Sequence, residues 1–304
     1  MNKSIGKISK IYFESKKVFS SKRNVQKFIK KKYRLHNSDN IKISYNIQSG
    51  EYVKYFQKLS LKNKKKIYDP FIKYINEFFP EKKEILDFGC GELTSSHYFF
   101  KNIKNIKKYF ANDISLNRVL IGQKYIKKLI SKKNIKKLKI FCSSHGQLPF
   151  LDNSIDLIIT NHVLEPNNKY KIKILKELLR VSRLGLCLME PHYEISSIKQ
   201  KKRMRELGYI RNIEKTFKKL NYKCVIKKKK FHLNKNNIAS IFIIKKKKIL
   251  KKNSSEFVDF ITKKKLITKN NFFYSKENFR LYPCFNNIPI FSDETQIFLP
   301  NSNF

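Results

Sequence analysis

The chain has 304 residues, of which 41% are hydrophobic and 13% aromatic, so it can bury a real core in one large domain or in a medium domain with appendages. No apolar run is long enough to cross a bilayer, and the first ten residues are charged, with no apolar stretch of a secretory leader. The five cysteines are odd in number, scattered and without a C-x-x-C pair, which excludes a disulfide framework and a thiolate zinc site and predicts a reducing, cytoplasmic setting with no bound metal.

The net charge of +45 points toward nucleic acid or an anionic surface. Coding bias competes with that reading. Ala occurs only at positions 111 and 239, while Lys, Asn, Ile, Phe and Tyr abound, as A/T-rich codons dictate. Only nine of the 68 basic residues are Arg, the better residue for bidentate phosphate contacts. A nucleic-acid partner is therefore possible but not favoured. Oligomeric state is left open.

Residues 1–49 read as a basic N-terminal extension, partly ordered at best. From Gly50 to Phe79 the apolar spacing predicts two helices, with Pro70 in the first turn of the second and Pro80 closing it. They are expected to cover a sheet edge, as a lid. Ile85–Phe88 is the first strand, followed by the turn Gly89-Cys90-Gly91 and a helix from Ser95. Lys108–Asn112 is the second strand, and Ser115 is an N-cap for a helix through Leu129. Strands follow at Leu138–Cys142, Ile155–Thr160 and Leu186–Met189, the last after a helix over Lys171–Val181 that Gly185 breaks. Helices over 197–207 and 213–220 lead to strands Tyr222–Ile226 and Ile238–Ile244, antiparallel to each other. The alternation predicts an α/β fold with a mostly parallel sheet covered on both faces. A lysine-rich linker at 245–255 precedes a small β-rich appendage, with strand candidates at Phe257–Ile261, Phe272–Tyr274, Ile288–Phe291 and Ile297–Leu299. The predicted divisions are 1–49, 50–248 and 249–304.

Chemistry is expected at the carboxyl ends of the strands, where open α/β sheets bind ligands. The Gly89–Gly91 turn, with Asp87 before it, leaves backbone N–H groups open to a nucleotide-like ligand. Asp113 follows Gly91 by about 20 residues, the spacing of ribose-binding carboxylates. A solvent-exposed loop acid is the competing reading. The loop 143–150, S-S-H-G-Q-L-P-F, is placed to meet an adenine edge. Cys90 reads as a small packing residue. His162, after the fourth strand, is either a general base or a hydrogen-bonded structural histidine. Glu165 is expected to begin the next helix. Glu190, His192 and Tyr193 follow the fifth strand, positioned for substrate contact or a purely structural turn. The lysine runs at 226–230 and 245–248 read as solvated faces.

I-L-D-F-G-C-G-E, A-N-D-I-S, Q-L-P-F-L-D-N-S-I-D-L-I-I-T-N-H-V-L-E and E-L-L-R-V-S-R-L-G-L-C-L-M-E-P, together covering about 84–191, resemble the successive motifs of the class I S-adenosylmethionine-dependent methyltransferases of small-molecule type. The resemblance implies a Rossmann-like methyltransferase fold with a mostly parallel seven-stranded sheet, helices on both faces, and S-adenosyl-L-methionine as cofactor. It places Gly89, Cys90 and Gly91 under the methionine part, Asp87 on its ammonium side, Asp113 on the ribose hydroxyls and Ile114 against adenine. Ser144, His145 and Gln147 would face the adenine edge, and Asn161 would line the cofactor. Two departures stand out. Leu93 replaces the usual third glycine, with bulk that narrows the cofactor site, and Ser144 replaces an acid. The segment F-V-D-F-I-T-K-K-K-L with L-Y-P-C-F-N-N-I-P-I-F resembles the small zinc-ribbon activator of tRNA and protein methyltransferases without its cysteines, Asp259 and Ser275 standing near two of their places. The expected activity is methyl transfer to a small-molecule acceptor, with His162 first and His192 second as candidate catalytic bases. An RNA methyltransferase and a catalytically inactive binding subunit are the alternatives.

Overall fold

The structure, a computed structural model, describes all residues except 1, 36, 145, 235–236, 270, 293–294, 296 and 301–304, and describes no side chains for 2–5, 37, 228–234 and 237. The first 47 residues form three helices, α1 (Asn2–Ser20), α2 (Val25–Tyr33) and α3 (Asn37–Ile47). This corrects the expectation of partial order. Ile11, Val18, Val25, Ile29 and Ile43 supply a small core of their own, and Asn24 caps α2 by accepting from the Lys27 amide. Next come α4 (Glu51–Lys58) and α5 (Leu61–Phe78). Pro70 lies inside α5 rather than in its first turn. Such a proline costs a helix about 3 kcal/mol, and burial of Tyr68, Phe71, Ile72 and Ile75 on one face offsets it.

Strand and helix then alternate: β1 (Glu84–Phe88), α6 (Thr94–Asn102), β2 (Lys108–Asp113), α7 (Leu116–Lys127), α8 (Lys132–Ile135), β3 (Leu138–Ser143), β4 (Ile155–Asn161), α9 (Lys171–Val181) and β5 (Ser182–Pro191). After α10 (Ile198–Leu207) and α11 (Ile213–Lys219), β6 (Val225–Asn234) and β7 (Asn237–Lys245) close this half. The order is β6-β7-β5-β4-β1-β2-β3. Strands β1 to β5 are mutually parallel, β7 is antiparallel to β5, and β6 is antiparallel to β7. One face packs Leu175, Leu178 and Phe217 from the helices on Leu186 and Phe242; the other packs Phe71, Ile75 and Phe99 on Ile85 and Tyr109. Gly185 lies inside β5 instead of ending the preceding helix. A Cβ there would sit 1.9 Å from the Ile244 carbonyl, so only glycine lets β5 and β7 approach.

The C-terminal strands are β8 (Ile267–Lys269), β9 (Phe272–Ser275), β10 (Arg280–Phe285), β11 (Ile288–Phe291) and β12 (Ile297–Phe298). Residues 257–261 make only an isolated bridge, Val258 to Lys265. The seven-stranded sheet does not end at β3: β11 pairs with it in parallel, Ile290 to Cys142 and Phe291 to Ser143, giving a sheet of twelve strands. Asp259 is buried and accepts from the amides of Ile261 and Thr262, the Asn278 side chain and the Tyr282 hydroxyl, and these bonds hold its carboxyl below the usual range despite its burial. Among the described residues no helix is long and apolar enough to cross a membrane.

Candidate functional site

The turn after β1 folds as the sequence dictates. Gly89 and Gly91 both take positive φ, and the Cys90 amide donates to the Asn112 carbonyl, which ties the turn to the end of β2. Asp113 ends β2. Its Oδ2 accepts from the Gly91 amide and its Oδ1 from the Ser115 amide, both at 2.9 Å. Ser115 in turn caps α7 through the Arg118 amide.

These elements wall a cavity of about 350 Å³ at the carboxyl ends of β1, β2 and β4. Gly89 to Glu92, Thr94, Ser95, Asp113, Ile114 and Arg118 line one side, Asn161 to Val163 and Glu165 to Asn167 another. Tyr45, Tyr52, Tyr55, Phe56, Leu59 and Tyr68, from α3, α4, α5 and the α4–α5 turn, form an aromatic roof. Glu92 ties that roof down. Its fully buried carboxylate accepts from the Gly50 and Val53 amides at 2.9 and 2.8 Å, capping the N-terminus of α4.

His162 is 18% exposed and has φ +59, and its Nδ1 lies 3.0 Å from Glu165 Oε2. Its Nε2 is buried without a hydrogen-bond partner. Burial alone would lower the imidazole pKa, but the Glu165 hydrogen bond and the charges of Glu165 and Glu190 outweigh it and raise the value. Glu165 lies in a turn, not at a helix start, since α9 begins only at Lys171. Glu190 is wholly buried and accepts from Thr160 Oγ1 and the Val163 and Leu164 amides; burial pushes its carboxyl up to about 7. Asn161 is hydrogen-bonded to the Tyr68 hydroxyl.

The structure thus brings together Gly89, Cys90, Gly91, Asp113, Ile114, Asn161 and His162. Burial pushes the Cys90 thiol up, in keeping with a packing role. Asp87 is not among the lining residues. Its Oδ2 accepts from Ser96 Oγ and the Tyr109 hydroxyl, and burial pushes it up to about 6. Ser144 and the exposed Gln147 are also outside the lining, and His145 lies outside the described residues. His192 is buried away from the cavity, its Nδ1 2.9 Å from Ser240 Oγ and its ring against Phe242. Leu93 does not narrow the site. Its side chain is fully buried in the core beside α6, outside the cavity lining.

Arg118 is the main feature that the sequence did not announce. Its guanidinium lies 4.8 Å from the Tyr45 ring centre and 4.5 Å from that of Tyr52. Its charge is held by Asp113 at 4.0 Å and Glu92 at 3.8 Å, distances too long for hydrogen bonds. It covers Gly91 so closely that a Cβ there would meet Nη2 at 2.4 Å. The only sequence signal was its place in the first turn of α7, three residues after the Ser115 cap and close to the Asp113 end of β2.

A seven-strand order with a glycine turn after β1 and an acid ending β2 defines the Rossmann-like methyltransferase fold. Residues 86–188 match the family described as Methyltransferase domain, and this part of the chain has the class I methyltransferase fold. Among solved structures, the chain is similar to the magnesium protoporphyrin IX methyltransferase (ChlM) of Synechocystis PCC 6803 with bound SAH, at 12% identity over 67% of this chain and 98% of that one, with a TM-score of 0.51. It is also similar to a SAM-dependent methyltransferase from Aquifex aeolicus, at 18% identity over 63% and 97% of the two chains, with a TM-score of 0.44. Such identities report fold alone. No curated protein matches the sequence.

Proposed function

We propose that this protein transfers a methyl group from S-adenosyl-L-methionine to a small-molecule acceptor, with His162 as the general base. The observation that carries the reading is a single cavity uniting the Gly89–Gly91 turn, the Asp113 carboxylate and the unpartnered Nε2 of His162. The residues present fit the cofactor. Each Asp113 oxygen holds one backbone N–H and, as a carboxylate oxygen, can accept a further bond, which leaves room for two ribose hydroxyls. Ile114 offers an apolar contact for a base, and Asn161 a polar one.

When bound, the cofactor supplies an electrophilic methyl on a sulfonium. The protein's own part is orientation, exclusion of water and one proton transfer. The tyrosine-rich roof covers the cavity and limits the access of water. Glu165 accepts from Nδ1 and so fixes the tautomer that leaves Nε2 free to take a proton from a hydroxyl or ammonium acceptor. Glu190 raises the basicity of the ring through its charge. His192, buried outside the cavity lining with its Nδ1 on Ser240, has no role in this scheme. The likeness to ChlM and a cavity of about 350 Å³ support a small acceptor over RNA.

Titration calorimetry with S-adenosylmethionine tests the reading. The wild type should bind at micromolar concentration, and Asp113→Ala should lose about tenfold or more, the worth of a charge-assisted hydrogen bond. Absence of binding both by the wild type and by variants that open the cavity removes the proposal.

A further inference from the structure

Resting on that reading, we propose that Arg118 is a displaceable plug in the cofactor groove, held in place by the N-terminal helices, so that cofactor binding must loosen those helices. The bareness of Gly91 is used here by a guanidinium and not by a ligand: the closest approach to the position of a Cβ is Arg118 Nη2 at 2.4 Å. The same group stands beside Asp113 Oδ2, on the carboxylate that the nucleoside sugar would need. Arg118 and the cofactor therefore compete for one surface.

The plug is held in a way that lets it leave. Its Nε has no hydrogen-bond partner, and its ion pairs are long. What fixes it is the pair of rings from Tyr45 on α3 and Tyr52 on α4. Those helices are anchored over the groove by two further contacts, Glu92 on the Gly50 and Val53 amides and Ser115 Oγ donating to Asn46 Oδ1. Both anchors originate on the walls of the groove, at the glycine turn and at the start of α7. Displacing Arg118 removes the cation between the two rings and the positive charge beside Glu92, so roof and groove are coupled through one side chain. A closed state that must open first lowers apparent affinity by the fraction of open molecules.

The test uses the full chain, S-adenosylmethionine as probe, calorimetry, and hydrogen exchange of the 45–53 amides. Arg118→Ala should bind roughly tenfold more tightly than wild type if the closed state prevails by about that ratio. Tyr52→Leu, which keeps every charge and so guards against a folding defect in the first variant, should also bind more tightly. Adding the probe to wild type should speed exchange at Gly50 and Val53, and should change it little in Arg118→Ala, where the roof is already loose. Wild-type binding with equal or weaker binding by both variants overturns the plug, as does slower exchange of 45–53 on binding. Failure of all three proteins to bind overturns the cofactor reading itself, a result distinct from the others.

Discussion

Replacing Glu190 with glutamine should flatten the pH dependence of folding near neutrality. The wild-type carboxyl is wholly buried, and burial raises it from an ordinary 4.5 to about 7. A group with a higher value folded than unfolded binds more protons in the native state between those limits. Its contribution to stability is complete below pH 4.5 and is lost as pH rises through 7. At ~1.4 kcal/mol per tenfold change in proton affinity, the loss is about 3 kcal/mol. His162 has the same sign, because its value is also raised: its contribution is present below 6.5 and disappears as pH climbs through the folded value. Glu190→Gln is neutral at every pH. Wild-type stability minus variant stability, from urea unfolding at pH 4.5, 5.5, 6.5 and 8, should therefore fall by about 3 kcal/mol across the series. The background effect of the large positive charge cancels in that difference. A flat difference curve would refute the claim that Glu190 is buried beside His162 and ionises late.

Glu165→Gln should lower the His162 titration, followed by imidazole proton shifts, from above 6.5 to below it, since burial then acts against a weaker hydrogen bond. An unchanged midpoint would remove Glu165 as the group that raises His162. Asp259→Ala strips four hydrogen bonds and should cost about 3 kcal/mol in urea unfolding. Because the Asp259 carboxyl is held low, its contribution should fade only as pH falls below 3.8 toward the folded value. Gly185→Ala should unfold or severely destabilise the protein, by more than about 4 kcal/mol, because its Cβ has no space beside Ile244. A soluble variant with a near-normal melting temperature would contradict the β5–β7 spacing.

The parts of this fold that were legible in the sequence are those carried by local chemistry. The glycine turn, the acid ending β2 and the apolar strand runs of the parallel sheet each need only a few neighbouring residues, and these fell where expected, whereas the apolar run 257–261 makes only an isolated bridge. The N-terminal helices were missed because their joint core is five aliphatic residues dispersed among lysines, so no single helix shows a broad apolar face. Pro70 misplaced the start of α5, since a proline is a local signal and the burial that overrides it is not. The strand Ile288–Phe291 was visible as an apolar run, but its pairing with β3 depends on a partner some 150 residues earlier. In the site, the tyrosines that meet Arg118 come from helices read as an extension or an edge cover. The clamp exists only once α3 and α4 fold over the turn.

The parallel seam between β11 and β3 has a consequence for synthesis. Residues 138–143 leave the ribosome well before 288–291, so one margin of the parallel sheet stays unsatisfied while nearly half the polypeptide is still being made. Until the last hairpin arrives, that margin is a sticky template for neighbouring chains, and a message cut short ahead of codon 288 should yield inclusion bodies rather than a shorter folded protein.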